Sequence, residues 1–437
     1  MKTKYLGLIA SAGLLSVSGI AAAAPAAAPL PSLSDILVGS GIAVNGYVSA
    51  SYEATFNDTG GGTTTNNNTC IGGSSFCSSG PGPGFGPAVP FHQFDNNANS
   101  FMLNQAALTV SYLPTSGFGA LVNVITGEDA KVINGAYGDG AGTFSLTQAY
   151  VQYASGPLTV IGGRFVTLAG EEVIDDTKNN NISRSLLFTN MEPLVHTGIR
   201  ASWAFNSMVT AYVGANNSAL AFPGLGIVYA VAGVPVPTAG ADTDKHKTAE
   251  LGVAITPTKT ITVNAVDYYG VDNIPGTTFN TKNNILDVVA NWQLTPAIAL
   301  GINTDYDILV PSGSGVDANA EGVALYASDQ ITSQFKGSFR GEYMRIGQHG
   351  GGSINTDIAE VTLTGDYSAT PHFDVLAEGR IDYGSLSANS FIIGSGKTGL
   401  FPSANPGPLG PAGLGDRKSQ PEVLVKAIYK FGTPSSS

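Results

Sequence analysis

Short segments in which every second residue is apolar recur along most of the chain, from Gly41 to Phe431. Successive side chains of a β-strand point to opposite faces, so each such segment has one apolar face and one polar face. The repeat therefore predicts a protein built from amphipathic strands. In the final segment the apolar residues are Val423, Val425, Ala427, Tyr429 and Phe431, and the polar positions between them include Glu422, Lys426 and Lys430.

Two features favour a transmembrane barrel over a soluble β-sandwich, in which the apolar face would be inside. Many segments have about ten residues or more, near the length that a tilted strand needs to cross a bilayer. Short turns such as Thr256-Pro257-Thr258 also alternate with long Gly- and Asn-rich stretches, an asymmetry typical of outer-membrane barrels. The long stretches are 57–99, 128–143, 169–192, 219–244, 270–282, 309–316, 347–354 and 386–417.

The number of segments predicts an all-β fold, a single antiparallel barrel of about 16 strands, counted to within two. An even number suits a closed bacterial barrel, and a barrel of this size leaves an aqueous channel. The segments are 41–56, 100–113, 117–127, 144–154, 157–168, 193–205, 208–218, 245–256, 258–269, 283–294, 296–308, 317–330, 332–346, 355–369, 371–385 and 418–431.

The amino terminus has the features of a secretory signal peptide. Lys2 and Lys4 precede an apolar run that ends in alanines at 21–24, which offer small-residue cleavage sites. We therefore expect a signal peptide at 1–24, a periplasmic segment at 25–40, the barrel at 41–431 and a loose tail at 432–437. The predicted location is the outer membrane of a Gram-negative-type cell.

The composition excludes several classes of protein. Charged residues make up only 12% of the chain, where about a quarter is usual for a soluble protein. The formal net charge of −12 argues against a nucleic-acid partner. No motif joins any of the five histidines to a nucleophile, so we predict no enzymatic activity. No cofactor is expected.

Cys70 and Cys77 are the only cysteines, and both fall in the first long stretch. Export to an oxidising compartment favours a disulfide between them. A metal site is the weaker alternative because no histidine shares their spacing, and no metal is expected elsewhere.

The stretch from about 169 to 191 differs from the other long loops, because it is not dominated by Gly and Pro. Its apolar residues would be poorly placed in water, and a loop folded against the inner wall would shelter them. We therefore predict that this loop constricts the pore; the alternative is an ordinary solvated run of charges. The constriction candidates are Glu171, Glu172, Asp175, Asp176 and Arg184, with Arg164, His196 and Arg200 as basic partners on the flanking strands.

Alternation also predicts which wall residues face the lumen. Carboxylates that line a pore favour cations, so the net acidity predicts a weak cation preference. Neighbouring opposite charges could instead pair and contribute little to selectivity. The lumen candidates are Glu53, Lys336, Arg340, Glu342, Glu360, Asp374, Glu378 and Arg380.

Six segments carry a resemblance to a known family: Phe101 to Tyr112, Gln148 to Tyr153, Gly163 to Val166, Glu171 to Ile174, Ser183 to Phe188 and His196 to Arg200. They resemble the OmpL-like beta-barrel porins of the porin superfamily of outer-membrane channels. The resemblance is strongest over residues 100–205 and elsewhere extends only to the architecture. It implies an outer-membrane channel and says little about the substrate.

The function predicted from these observations is passive diffusion of small hydrophilic solutes and ions through a water-filled channel. Two alternatives stay open: a channel selective for sugars or dicarboxylates, and a barrel without a channel whose long loops bind partners as an adhesin or structural protein. The expected partners are outer-membrane lipid, the barrel-assembly machinery and, for a homotrimer, two further copies of the chain.

Overall fold

The chain folds into a closed antiparallel β-barrel with sixteen strands in its wall. The computed structural model describes residues 37, 39–56, 92, 94–95, 99–136, 142–218, 245–273, 280–312, 317–349, 352–390, 394–399 and 419–432. The strands are β1 (Ala43–Thr55), β2 (Ser100–Tyr112), β3 (Gly117–Thr126), β4 (Phe144–Ser155), β5 (Leu158–Val166), β6 (Val195–Ala204), β7 (Val209–Asn216), β8 (Thr248–Thr258), β9 (Ile261–Asn273), β10 (Asn280–Gln293), β11 (Ile298–Pro311), β12 (Asp317–Gln330), β13 (Phe335–His349), β14 (Gly352–Thr370), β15 (Phe373–Ser390), β16 (Gly394–Gly399) and β17 (Ser419–Gly432). The helical elements are α1 (Glu128–Ala136), a 3-10 turn (Asp176–Lys178) and α2 (Leu186–Asn190).

Pairing of the first and last strands closes the barrel. β1 runs antiparallel to β17, from Asn45 opposite Gly432 to Thr55 opposite Glu422. β16 pairs with Ser385–Ser390 of β15, and β17 pairs with Phe373–Tyr383 of the same strand. β16 and β17 therefore share one position in the wall, and the prediction of about sixteen strands is confirmed.

The two faces of the wall differ as alternation requires. On β17, Val423, Val425 and Tyr429 are exposed, whereas Glu422 and Lys426 are almost completely buried. Exposed aromatic side chains gather at two levels of the outer face. Near the short turns they include Tyr112, Phe118, Trp203, Phe205, Trp292, Tyr367 and Phe431, and towards the other rim Phe56, Phe101, Phe144, Tyr269, Tyr306, Tyr343 and Tyr383. An apolar band between two aromatic girdles is the outer surface of a barrel that spans a membrane.

The connections differ from the sequence prediction at one rim. Short turns such as 156–157, 259–260 and 371–372 join strands at the other rim. The long stretches predicted at 270–282, 309–316 and 347–354 are wrong, because the flanking strands continue into them and leave connections of only 274–279, 312–316 and 350–351. β15 and β16 likewise extend into the stretch 386–417. Gly and Asn did not end these strands, since cross-strand hydrogen bonds continue beyond the apolar band.

Helix α1 lies in a stretch predicted only as a loop. Ala130, Val132 and Ile133 are fully or almost fully buried, and Asp129 accepts a hydrogen bond of 2.7 Å from the Gln105 side chain on β2. The signal was present in the acidic Glu128 and Asp129 of its first turn, followed by apolar residues at helical spacing. The high Gly content around it obscured that signal.

Other predictions fall outside the described residues. These are the signal peptide, most of the amino-terminal segment, the tail beyond Gly432, and the Cys70–Cys77 disulfide. In the described part of the chain, every helix is too short to cross a membrane.

Placing a charge on the outer face tests the membrane band. Leu363 of β14 is exposed and pairs with Phe339, midway along β13 between Phe335 and Tyr343. We expect Leu363→Arg to lower the free energy of unfolding in lipid vesicles by about 2–4 kcal/mol, since the midplane penalises a charge most. Ile331→Arg, an equally exposed control in a short turn, should cost at most about 1 kcal/mol. Equal costs in urea titrations of the two variants would contradict this assignment of the band.

Candidate functional site

Residues 167–194, which connect β5 to β6, form the most extensively bonded connection in the described part of the chain; we call them the β5–β6 segment. Its hydrogen bonds reach side chains of β1, β10, β11, β13, β14, β15 and β17, far from its own flanking strands. These wall side chains belong to the buried face of the sheet. The segment therefore lies inside the cylinder of strands.

Local sequence explains how the segment folds. The Ser185 side chain caps α2 by accepting a hydrogen bond of 2.9 Å from the Phe188 amide, and Asp175 caps the 3-10 turn in the same way. Leu186, Leu187 and Phe188 are buried. Gly322 of β12 makes room for Leu187, whose Cδ1 would lie 2.8 Å from a Cβ at that position. The apolar residues of the segment are therefore buried against the inner wall, as the sequence predicted.

Arg340 of β13 is the principal basic anchor of the segment. Its side chain is fully buried, and it donates hydrogen bonds to the Glu172 carboxylate at 2.6 Å and to the Ser183 carbonyl at 2.9 Å. It also pairs with Glu360 at 2.7 Å and with Glu342 at 2.9 Å on the wall. A guanidinium with five donors can hold several acceptors in one plane, which lysine cannot do.

Asp176 anchors the segment at the seam between the first and last strands, β1 and β17. Its carboxylate accepts from Ser49 of β1 at 2.6 Å, from Arg184 at 2.6 Å and from Lys426 of β17 at 3.1 Å. Burial raises the pKa of Asp176, but the charges of Lys426 and Arg184 outweigh it and lower the pKa to about 2. Asp176 is therefore a carboxylate that binds the segment to both closing strands.

Side chains of β15 bind the backbone of the middle of the segment. The two carboxylate oxygens of Glu378 accept from the Ile182 amide at 2.6 Å and the Ser183 amide at 2.9 Å. Arg380 donates to the Arg184 carbonyl at 2.7 Å. Backbone groups that would otherwise be buried without partners are satisfied by wall side chains, as buried polar groups must be.

The basic partners predicted for the loop are placed differently. Arg200 forms a double hydrogen bond with Glu250 of β8, at 2.5 and 2.8 Å, and does not meet the segment's acidic run. His196 is buried and stacks on Tyr268, with ring centroids 4.7 Å apart. Arg164 is not on the same face as His196, because Arg164 pairs with Thr197 whereas His196 pairs with Phe165. The segment bends away from its flanking strands, which their sequences do not reveal.

The other sequence candidates face the interior of the barrel. Glu53, Lys336, Arg340, Glu342, Glu360, Asp374, Glu378 and Arg380 all occupy the inward face of the wall by register. Glu171 donates its amide to Asn303 at 2.7 Å and accepts from Asn291 at 2.7 Å, and burial raises its pKa. Lys426, Glu250 and Ser49 also form bonds in the interior but are not among the site residues predicted from the sequence, although the same alternation places them inward.

The first long connection also contributes to the interior. His92 lies 3.2 Å from Asp382 of β15 and 3.6 Å from Glu422 of β17. Burial and Arg380 lower the pKa of His92, but the two carboxylates outweigh them and raise it to about 10. Phe94 packs on Phe188 of α2 with ring centroids 5.6 Å apart. These contacts cover the segment on its β15 and β17 side.

A cavity of about 430 Å³ lies on the other side of the segment. Its wall comes from β1 to β5 and β7 to β9, with neutral polar groups such as Thr109, Asn123, Gln148 and Asn264. The segment contributes the charged residues of the lining, Glu172, Asp175 and Lys178, together with Val173. Asp175 and Lys178 lie 3.6 Å apart and are both partly exposed. The segment thus has one face bonded to the wall and one face on an open space.

A sequence model of one protein family matches residues 41–431 and is described as "Putative beta-barrel porin-2, OmpL-like". The chain belongs to this family of outer-membrane porins. Membership implies a location in the outer membrane.

Solved structures show the same fold. The chain is similar to OmpT of Vibrio cholerae, with a TM-score of 0.52, 12% identity, and coverage of 89% of this chain and 97% of that one. It is similar to an anion-selective porin from Comamonas acidovorans, with a TM-score of 0.52, 12% identity, and coverage of 89% and 99%. The channel DcaP of Acinetobacter baumannii gives a TM-score of 0.51, 9% identity, and coverage of 89% and 97%. A search of curated protein sequences finds no match.

Removing the basic anchor tests the charge network of this porin. In Arg340→Met the carboxylates of Glu172, Glu342 and Glu360 lose their shared cation, so we expect the free energy of unfolding to fall by about 3–5 kcal/mol. Arg345→Met is the matched control on the same strand, because Arg345 is about half exposed and lies 3.9 Å from Asp357. It should cost less than about 1 kcal/mol. Urea titrations in micelles would contradict the network if both variants cost the same.

Proposed function

We propose that this porin is a water-filled channel for passive diffusion of small hydrophilic solutes and ions, in which the β5–β6 segment narrows the lumen. The observation that carries the proposal is the asymmetric position of the segment. Buried ion pairs hold one of its faces against β13 to β17 and β1, while its other face lines the cavity beside β2 to β9. The cavity is the path that we assign to solutes.

The lining of that path supports a general rather than a specific channel. All of its wall residues are uncharged, and several of them are polar, such as Asn123 and Gln148. The carboxylates of Glu172 and Asp175 are accompanied by the Lys178 ammonium. Glu172 is bonded to Arg340 and Asp175 lies near Lys178, so little net charge faces the path. A weak preference for cations follows from the small excess of carboxylate.

A sugar-selective channel is the second candidate, and one observation favours it. Tyr47 and Tyr212 both line the cavity, and aromatic surfaces beside polar groups suit sugar rings. Tyr150 and Tyr326 are not part of this lining. Blockade of single-channel current by millimolar maltose would favour the selective channel over general diffusion.

The oligomeric state proposed for the channel is a homotrimer. A structural neighbour, OmpT of Vibrio cholerae, has been solved in a trimer form. The exposed apolar band gives each barrel a surface that either lipid or a second copy can cover.

Filling the cavity from the segment tests the position of the path. Val173 is 37% exposed and faces the cavity, so we expect Val173→Trp to reduce single-channel conductance in planar bilayers by roughly half. Leu363→Trp adds the same ring on the lipid face of β14 and should leave conductance unchanged. Unchanged conductance in Val173→Trp would exclude this path, and silent wild-type protein would exclude the channel itself.

Reversing one charge tests the origin of selectivity. Asp175→Lys replaces the more exposed carboxylate of the lining, so we expect the reversal potential in a potassium chloride gradient to move towards anion preference. Asp329→Lys is the matched control, since Asp329 is exposed at the end of β12 near a short turn. Equal shifts in both variants would show that overall charge, rather than the lining, sets selectivity.

A further inference from the structure

Three carboxylates meet where the end of the β5–β6 segment contacts the wall. One oxygen atom each from Glu192, Asp287 and Asp305 lies within 4.8 Å of the other two. Asp287 of β10 and Asp305 of β11 are directly opposed in the ladder, and Glu192 comes from the segment beyond α2. All three side chains are at most 2% exposed. Three side chains of like charge, from one loop and two strands, therefore lie close together.

Each of the three carboxylates has one oxygen atom that makes no hydrogen bond to the described residues. Glu192 Oε2, Asp287 Oδ1 and Asp305 Oδ2 are buried without a hydrogen-bond partner among the described residues. Asp307, two positions further along the same face of β11, adds two more buried oxygen atoms without a partner. Buried acceptors in native proteins are almost always satisfied, so several of them in one place indicate a group that the protein itself does not supply.

No basic side chain in the described part of the chain forms an ion pair with Glu192, Asp287, Asp305 or Asp307. Elsewhere in the interior the pattern is different: Arg184 and Lys426 meet Asp176, Arg340 meets Glu172, and Arg380 meets Asp382. The similar group of His92, Asp382 and Glu422 contains its own cation and has Arg380 beside it. Uncompensated buried carboxylates are costly, so the first group needs either a cation or protons.

Asn303 orients two of the three carboxylates. Its amide nitrogen donates to Asp287 Oδ2 at 2.8 Å and to Asp305 Oδ1 at 3.3 Å, which leaves the other oxygen of each carboxylate unbonded. Its carbonyl oxygen accepts from the Glu171 amide at 2.7 Å. Hydrogen bonds that fix one oxygen and present the other are typical of the residues around metal ligands.

Gly170 lets the segment approach this point closely. It has a φ of +91°, and a Cβ there would lie 1.8 Å from Glu192 Oε2. Any other residue at position 170 would displace the carboxylate and strain the backbone. The position of Glu192 therefore depends on a glycine in the same segment.

We propose that Glu192, Asp287 and Asp305 bind a divalent cation of the calcium class, with Asp307 as an additional carboxylate and Asn303 as the orienting residue. The donors are all oxygen atoms, which suits a hard cation and does not suit zinc or copper. Calcium accepts carboxylates in flexible geometry, as a set drawn from three separate elements requires, whereas magnesium demands a near-ideal octahedron. Sequence reasoning missed this site, because Glu192 and Asp305 are 113 positions apart and only the fold brings them together.

The bound cation would join the end of the β5–β6 segment to β10 and β11. This is the side of the barrel that Arg340, Glu378 and Lys426 do not reach. The site would thus complete the attachment of the segment around the wall. Its occupancy is independent of whether the barrel conducts, so a test of binding does not depend on the proposed function.

Calorimetry of the purified porin tests the proposal. Protein refolded in detergent without lipopolysaccharide, and treated with EDTA, is titrated with calcium chloride at pH 8. We expect one calcium ion per chain. In Asp287→Asn/Asp305→Asn the affinity should fall by more than about tenfold, because two of the ligands are lost. Asp329→Asn, the matched control outside the cluster, should bind as wild type does. No binding to wild type, or equal binding to the double variant, would overturn the proposal.

Thermal unfolding separates a cation from bound protons. Burial and the nearby Asp287 raise the pKa of Glu192, so protons are the competing way to neutralise the cluster. We expect calcium to raise the unfolding midpoint of wild type at pH 8, because a ligand of the native state alone stabilises it, and to leave the double variant unchanged. A wild-type midpoint that responds to acid but not to calcium would show that protons occupy the cluster and would overturn the proposal.

Discussion

Charged groups inside a protein must be compensated, and in this barrel the compensation joins a loop to the wall. Arg340, Arg184 and Lys426 are buried, and their carboxylate partners lie on both the β5–β6 segment and the strands. Removing a partner from such a network leaves a buried charge, which costs far more than an exposed ion pair contributes. The position of the segment therefore follows from where the wall offers opposite charge.

That constraint gives the interior two unlike halves. On the side of β13 to β17 and β1, charged side chains and the backbone of the segment use one another's hydrogen-bonding groups. On the side of β2 to β9, neutral polar residues face a cavity of about 430 Å³. A segment attached on one side only can narrow a channel without closing it, which is the basis of the function that we propose.

Alternation predicted the closed barrel, its strand number and the inward face of β1, β13, β14, β15 and β17 from sequence alone, because a period of two follows directly from strand geometry. It also predicted that the apolar residues Leu186, Leu187 and Phe188 need shelter. Alternation could not predict the partners of the acidic residues 171–176. Arg200 and Arg340 both occur in strands with the same alternating pattern, and only the path of the segment determines which arginine it meets. Alternation predicts β9, β10 and β14 but not their extensions, and it does not predict helix α1. Gly and Asn favour turns locally, whereas long-range pairing maintains the strands beyond them.

One face of the β5–β6 segment is held against the wall, while the other meets water. Cysteine accessibility measures this directly, in a protein whose Cys70 and Cys77 are replaced by serine. A small charged thiol reagent should modify Val173→Cys and Lys178→Cys rapidly, and Ser183→Cys and Asn181→Cys slowly, because the latter two positions are at most 3% exposed. Rapid modification at all four positions would contradict this arrangement, because it would mean that the segment is not held against the wall.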